Sequence, residues 1–297
     1  MSMYLIVKVA WIAAGLVGVG AQRAIAADWI ALNAVTVVMA GIGVALGLGL
    51  AQPWGLRIPA PFVVVGAWVG GGFLVPLLPY LLAVALLSAL EVAGDRGAQE
   101  ASDLPGWESA FLAIGFAGMA LGLAIGLPAY VWRRWPTAFV GDARCGRPTW
   151  GTRPGLVLAR VGALAAAGAT ATAQIMWSLG VTLGLHPGRQ HDVAVEDRLL
   201  WACWGAWALV AASSLWRLVA SRPHRGGRRW LSRVLAFTAS GCGFAWGAWG
   251  LFAVILRPAG YLPEQYVPVA VALHAMSVFA GLVLLGTVLI GPERATQ

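Results

Sequence analysis

Six large ring side chains in the C-terminal half have the types and spacing expected of a ligand-binding wall: Trp177, Trp204, Trp207, Trp246, Trp249 and His274. Trp204 and Trp207 are three residues apart and so share one helix face, and the same holds for Trp246 and Trp249. An apolar pocket with a few polar groups is the usual form of a ligand site. We therefore predict an aromatic cavity where these faces converge. The alternatives are bulky core packing and faces turned to lipid.

Polar side chains inside the apolar stretches are few, and each is costly at membrane depth and often functional. They are Asn33, Thr36, Thr170, Thr172, Gln174, Thr238, Ser240, His274 and Ser277. None of them is acidic, which weighs against a transporter driven by ions through a buried carboxylate. A hydrogen-bonded interior histidine is the favoured interpretation of His274, although its depth also makes it the best titratable candidate.

Three acidic residues outside the middle of the apolar stretches are candidates for a proton donor: Glu91, Glu108 and Glu264. A membrane enzyme acting on a lipid or isoprenoid would use such an acid to start the reaction. Aromatic walls would then stabilise a cationic intermediate through cation–π contacts. Because no acid is buried in the apolar stretches, an enzyme is the less favoured interpretation.

Signatures of metal and cofactor chemistry are missing from the sequence. There is no H-E-x-x-H, no aspartate cluster for magnesium and no phosphate-binding glycine loop. Cys145, Cys203 and Cys242 are far apart and form no C-x-x-C pair. His186 and His191 share a polar loop, for which a solvated connector is favoured over a weak metal site. We therefore predict neither a metal nor a cofactor.

Composition makes lipid the solvent for most of the chain. Of 297 residues, 60% are hydrophobic and 11% are charged, against roughly 25% charged in soluble domains. A helical span needs ~20 mostly apolar residues. Eight candidates occur near Tyr4–Gly20, Ile30–Leu50, Pro61–Tyr80, Trp107–Val131, Leu158–Leu179, Leu199–Val219, Leu231–Leu256 and Val267–Ile290. The fold class predicted is an all-α polytopic transmembrane helix bundle. Beyond Pro79 the apolar run continues to Glu91, with two favoured interpretations, a kinked extension or an interfacial segment; a re-entrant piece is the less favoured option.

The distribution of charge predicts the orientation. With the N-terminus inside, fifteen of the 20 Lys and Arg residues fall in inner segments, as the positive-inside rule requires. Both termini are then cytoplasmic. The basic loop Arg217–Arg233 lies at the inner lipid surface, where anionic headgroups favour each basic residue by ~1 kcal/mol. The net charge of +8 therefore requires no nucleic acid. A cytosolic partner is the alternative use of this loop.

An internal similarity indicates a duplicated plan with residues 1–150 and 151–297 as two parallel four-helix repeats in one membrane domain. At an offset of 171 positions, Gly70, Gly72 and Phe73 fall on Gly241, Gly243 and Phe244. Chance similarity between glycine-rich stretches is the alternative. Small residues four apart let helices approach closely, and they occur at Gly43/Gly47, Gly66/Gly70, Gly118/Gly122/Gly126 and Gly243/Gly247. Packing within one chain is their favoured role, and a dimer interface stays open.

Three stretches carry a resemblance: the segment Pro53–Pro76, the Leu104–Trp107 entry to the fourth span, and the glycine segment ending at Phe244. The chain resembles a family of uncharacterised eight-helix, Gly/Trp-rich integral membrane proteins from actinobacteria. The resemblance implies this topology in a bacterial plasma membrane and brings no activity. The function we predict is to bind or transport a hydrophobic or amphipathic small molecule or lipid. A lipid- or isoprenoid-directed enzyme and an accessory subunit of a membrane complex are the alternatives.

Overall fold

The computed structural model describes residues 2–17, 27–89, 106–134, 154–190, 193–219, 229–256 and 264–289. These residues are almost entirely helical, and they contain no strand beyond a single bridge between Leu185 and Gln265. The helices are α1 (Ser2–Leu16), α2 (Ala27–Ala51), α3 (Ala60–Leu74), α4 (Leu78–Ala89), α5 (Gly106–Arg134), α6 (Pro154–Ser178), α7 (Val195–Val219), α8 (Arg229–Leu256) and α9 (Val267–Leu289).

Seven helical segments of the described chain are long and apolar enough to cross a membrane. They are Asn33–Ala51, Ala60–Leu87, Ile114–Arg134, Pro154–Ser178, Val195–Arg217, Leu231–Leu256 and Val267–Leu289. The first of the eight expected spans corresponds to α1, which has only 15 residues, short of the ~20 that a span requires. By length and composition, the chain is a multi-pass helical membrane protein.

The third span is a long rod with an interruption at its prolines. A single 3-10 turn, Val75–Leu77, separates α3 from α4, and helix continues to Ala89. Pro76 and Pro79 cannot donate the backbone hydrogen bonds that an α-helix needs, so the ladder breaks there without ending the rod. Of the two interpretations of this tail, the structure has the kinked extension.

Helices α3 and α8 pack side by side and run in the same direction. Trp68 Nε1 donates to Ser240 Oγ at 2.9 Å, and about one and a half turns further along both helices the ring centroids of Phe73 and Trp246 are 5.3 Å apart. Between these contacts a Cβ on Gly72 would overlap the backbone of Gly241. Two glycines thus bring the backbones into direct contact, the close approach that stabilises helix pairs in lipid.

The two halves of the bundle have the same pattern of neighbours. In the C-terminal half α6 packs on α7 and α9, and α8 packs on the same two helices. In the N-terminal half α1 packs on α2 and α5, and α3 packs on the same two. The C-terminal four are joined by a core of small side chains and leucine, including Ala163, Ala167, Ala211, Ala239 and Leu284.

Three of the four glycine pairings lie at helix contacts. A Cβ on Gly243 or Gly247 would lie about 3 Å from α9, at Ser277 O and His274 O; Gly43/Gly47 and Gly66/Gly70 lie against Met119 and Leu46. Gly118, Gly122 and Gly126 have nothing within 4 Å of such a Cβ. Among the described residues, no packing of this α5 stripe within the chain is seen.

Charges separate to the two ends of the bundle. One end, which we call the basic end, is where α2, α5 and α7 end and where α3 and α8 begin. It carries five arginines: Arg57, Arg133, Arg134, Arg217 and Arg233. The opposite end carries Glu196, Asp197 and Glu264 together with Arg189 and Arg198, and we call it the acidic end. At the basic end Tyr130 Oη and Arg134 both donate to Gly55 O, which attaches the 3-10 turn Pro53–Arg57 to α5.

Candidate functional site

A cavity of about 220 Å³ lies between α6, α7, α8 and α9. Its wall includes five of the six ring side chains singled out from the sequence: Trp204, Trp207, Trp246, Trp249 and His274. The two tryptophan pairs therefore converge from neighbouring helices. Glu264 and Gln265 complete the wall toward the acidic end.

The deep indoles have a structural partner in the broken third span. Trp246 Nε1 donates to Phe73 O at 3.2 Å. Trp207 Nε1 and Cys203 Sγ donate to Pro76 O at 3.3 and 2.9 Å. Both carbonyls lie at the interruption where the 3-10 turn Val75–Leu77 replaces α-helical hydrogen bonding, and lipid offers no donors to a backbone carbonyl. Side chains of α7 and α8 supply those donors, which explains why tryptophan N–H groups occur at this depth.

Trp204 differs from these neighbours because its Nε1 is buried with no hydrogen-bond partner. Its ring lies 5.3 Å from that of Trp246, with the planes tilted by 51°. A buried indole N–H normally finds an acceptor. Trp204 is thus held by ring packing while its one polar atom stays unsatisfied in the cavity wall.

His274 occupies space that a glycine leaves open. A Cβ on Gly250 of α8 would overlap the imidazole ring. One turn earlier, a Cβ on Gly247 would lie 2.9 Å from His274 O. Because Gly247 and Gly250 have no side chains, the backbone and the ring of His274 can pack directly against α8 and form part of the cavity wall. Sequence reasoning missed Gly250, since only the contact between α8 and α9 assigns it this role.

Trp177 does not line this cavity, so the structure does not bring it together with the other five rings. Its side chain is 2% exposed and lies 6.0 Å from the ring of Trp201. Its Nε1 donates to Leu183 O at 2.8 Å. Gly180 and Gly184 have positive φ and turn the chain back over the end of α6. Trp177 packs beneath this turn and is bonded to its Leu183 carbonyl, so it does not face the cavity.

Two polar residues of α6 complete the wall. Thr170 and Gln174 are 7% and 6% exposed, line the cavity, and lie one turn apart on the same face. Thr170 Oγ1 and Gln174 Oε1 are buried without a hydrogen-bond partner. Their polarity at depth was visible in the sequence, but nothing there assigned them to the tryptophan site.

Glu264 is the best connected polar group at the mouth of the cavity. Its Oε2 accepts from Trp201 Nε1 at 3.1 Å, and its Oε1 lies 3.8 Å from the Arg189 guanidinium. Burial raises the pKa of this carboxyl above its ordinary value, and Asp197 raises it further, against the lowering by Trp201 and Arg189. Protonation is therefore easier here than for a carboxyl in water.

The loop between α6 and α7 covers the cavity at the acidic end. His186 N donates to Glu264 O at 2.8 Å, and Tyr266 N donates to Gly184 O at 3.1 Å. Leu185 is buried beneath these bonds among Trp177, Trp201 and Leu273. The loop and the 264–266 segment thus form one connected cover.

The other candidate acids lie where the structure gives no side chain. Glu91 is outside the described residues, and Glu108 belongs to α5 with its side chain undescribed. Of the three proposed proton donors, Glu264 is the one that the structure places at the cavity. Within the described ranges, no three His, Cys, Asp or Glu side chains are grouped to hold a metal ion.

A second cleft of about 390 Å³ lies toward the basic end between α3, α5, α8 and α9. Most of its lining is apolar, as at Val63, Leu123 and Phe237. Two of its polar groups are already paired, since Trp68 donates to Ser240 and Tyr130 donates to Gly55. This cleft has the character of a lipid-facing groove.

Comparisons with protein-family models, with curated proteins and with solved structures found no match to this chain. Functional conclusions therefore depend on the geometry and chemistry of the α6–α9 cavity.

Proposed function

We propose that this protein binds or transports a hydrophobic or amphipathic small molecule or lipid in the aromatic cavity between α6 and α9. The observation that carries the proposal is the convergence of four indole rings and one imidazole on a single cavity of about 220 Å³. Aromatic walls with a few polar groups are typical of ligand sites.

The cavity is larger than packing of the bundle requires. Protein interiors are packed nearly as densely as organic crystals. The cavity is about half again the size of the ~150 Å³ engineered cavity that stays dry and binds benzene. Large aromatic residues usually fill such space, whereas here they surround it, which supports a ligand-binding role over core filling.

We place the basic end in the cytoplasm of a bacterial cell, with both termini on that side. The five arginines there match the positive-inside rule, and anionic lipid would bind them. The cavity then opens in the outer half of the bilayer. In a variant without native cysteines, an impermeant thiol reagent applied to cells should label Thr182→Cys and leave Arg217→Cys unlabelled; the reverse pattern would invert the orientation.

We further propose that residues 1–150 and 151–297 are parallel repeats of one four-helix plan and that the chain crosses the membrane eight times, with α1 as the described part of the first span. The equal neighbour patterns of the two halves support this proposal, as does the parallel contact at Gly72 and Gly241. Expressing the two halves as separate chains should yield a complex that co-purifies. Failure of the halves to associate would contradict the duplication.

Ligand retention tests the binding proposal. Trp204→Ala and Trp246→Ala remove adjacent parts of the wall, whereas Trp216→Ala, on the same helix as Trp204 but 56% exposed, is the matched control. Mass spectrometry of purified samples should find a molecule that accompanies the wild type and Trp216→Ala and is lost from the two cavity variants. Equal content in all four samples would contradict the proposal.

An acid-initiated enzyme acting on a lipid or isoprenoid is the second candidate, and Glu264 is the observation that favours it. This residue lines the cavity, and its raised pKa favours the protonated form that a proton donor needs. Indole faces would stabilise a cation formed beside it. Glu264→Gln should then abolish turnover while leaving ligand binding intact; loss of binding alone would favour the non-enzymatic proposal.

A further inference from the structure

Three cavity-wall residues carry a polar atom that has no hydrogen-bond partner and almost no contact with solvent: Thr170 Oγ1, Gln174 Oε1 and Trp204 Nε1. Buried polar atoms are nearly always paired, because leaving one unpaired costs stability. Of the four buried unpartnered side-chain atoms found in the described chain, three are on residues of this one wall.

The three residues are close together in the fold. Gly205, directly after Trp204, packs against α6 so tightly that a Cβ there would lie 3.4 Å from Gln174 Cβ. Thr170 lies one turn before Gln174 on α6. Thr170, Gln174 and Trp204 therefore lie at the contact between α6 and α7, opposite the rings of α8, and each carries one buried polar atom without a hydrogen-bond partner.

The chemistry of these three atoms selects the group that would satisfy them. Gln174 Oε1 can only accept and Trp204 Nε1 can only donate, while Thr170 Oγ1 can do both. A carboxylate only accepts and an ammonium only donates. A hydroxyl or a primary amide is an uncharged group that supplies a donor and an acceptor together.

Charge on the ligand is disfavoured for a separate reason. No Lys or Arg lines the cavity in the described residues, and its one acid, Glu264, lies at the mouth beside Trp201 and Arg189. An ion moved into such a site without a partner loses its hydration and gains little in return.

On the basis of the proposed function, we propose that the cavity binds an uncharged molecule such as a phenol or quinol. This molecule has a flat apolar body of one or two rings and carries a hydroxyl or amide group. Its rings lie among Trp204, Trp246 and Trp249. Its polar group bonds to Thr170, Gln174 and the indole N–H of Trp204. Because these three atoms are buried in the wall, binding requires rotation of the Gln174 amide, whose last torsion is soft, together with a shift of the neighbouring side chains.

Three matched probes test this assignment: 1-naphthol, naphthalene and 1-naphthoate share one ring system and differ in the polar group. Binding to the full chain in lipid nanodiscs is measured by equilibrium dialysis, with empty nanodiscs subtracted for lipid partition. We expect 1-naphthol to bind about tenfold more tightly than naphthalene, the effect of one or two good hydrogen bonds. 1-Naphthoate should show no saturable binding.

Three variants assign the preference to these three residues. Thr170→Val, Gln174→Leu and Trp204→Phe should each reduce the ratio of naphthol to naphthalene affinity severalfold while naphthalene still binds. The matched control is Thr172→Val, which alters an exposed threonine of the same helix bonded to Gly168 O, and it should keep the wild-type ratio.

The possible failures are distinguishable. Equal affinity for naphthol and naphthalene, or a Thr170→Val variant identical to Thr172→Val, would overturn the polar assignment and leave the proposed binding function in place. Tightest binding of 1-naphthoate would overturn the uncharged class. No saturable binding of any probe would overturn this ligand class, whereas the proposed binding function is tested separately by ligand retention in Trp204→Ala and Trp246→Ala.

Discussion

The indole N–H of Trp246 donates a hydrogen bond to the carbonyl oxygen of Phe73 across the contact between α8 and α3, at 3.2 Å. Phe73 lies just before the proline break of the third span, and Trp246 lines the cavity. Trp246 therefore donates a hydrogen bond to a backbone carbonyl of the N-terminal half and also forms part of the cavity wall in the C-terminal half. The break in α3 and the cavity are parts of one arrangement.

Gly72→Ala should destabilise the protein because the new methyl group would overlap the backbone of Gly241. Overpacking of this kind costs about 1–3 kcal/mol or more, and backbone cannot move aside as a side chain can. Gly118→Ala, where nothing lies within 4 Å, is the control. Thermal unfolding in detergent, followed by size-exclusion chromatography, should show a lower midpoint for Gly72→Ala only. Equal midpoints would contradict the close α3–α8 contact.

Gly250→Ala should displace the His274 ring from the cavity wall. The added methyl group would occupy the position of the imidazole, so we expect ligand retention to fall severalfold. Gly286→Ala, on α9 with nothing within 4 Å, should behave as the wild type. Mass spectrometry of the co-purified molecule measures both. Unchanged retention in Gly250→Ala would show that the imidazole position does not matter for binding.

Cys203 and Trp207 should compensate for each other at Pro76. Both donate to its carbonyl oxygen, so Cys203→Ala or Trp207→Phe alone leaves one donor in place. The double variant leaves a buried carbonyl with neither side-chain donor, which costs about 1–3 kcal/mol. A double-mutant cycle of unfolding midpoints should therefore show a double loss that exceeds the sum of the single losses. Additive losses would contradict the shared acceptor.

Glu264 should make stability depend on pH. Its folded pKa is raised, chiefly by burial, so its contribution is most favourable below the ordinary carboxyl pKa. That contribution is lost as pH rises through the folded pKa. Unfolding midpoints measured between pH 4 and 8 should therefore fall in the wild type relative to Glu264→Gln as pH increases.

The control for this titration is Glu196→Gln, which alters another acid of the same end. It should keep the wild-type dependence on pH. A difference between the wild type and Glu264→Gln that stays constant over this range would show that the carboxyl does not titrate with a raised pKa.

Local features of the sequence were sufficient to predict seven of the helical spans and the tryptophan pairs that share a helix face. A span needs only length and apolarity, and residues three apart share a helix face whatever surrounds them. The convergence of Trp204 with Trp246 follows from this spacing together with the packing of α7 on α8.

Other parts of the site depend on contacts that sequence spacing does not report. The orientation of the Trp177 side chain is determined by the turn at Gly180 and Gly184. The role of Gly250 is determined by the position of the His274 imidazole on α9. Likewise, the pairing of Phe73 with Trp246 spans 173 positions. The stripe at Gly118 has the same spacing as the packed glycine pairs, yet among the described residues nothing packs against it.

The hydrogen bonds to Phe73 and Pro76 restrict how the cavity can widen. They attach α7 and α8 to the rod formed by α3 and α4, so an outward tilt of either helix would strip donors from carbonyls that lipid cannot solvate. A displacement of α6 together with α9 breaks none of these three bonds. We therefore expect exchange of the bound molecule with its surroundings to proceed by movement of that second pair, with the N-terminal half serving as the stationary frame.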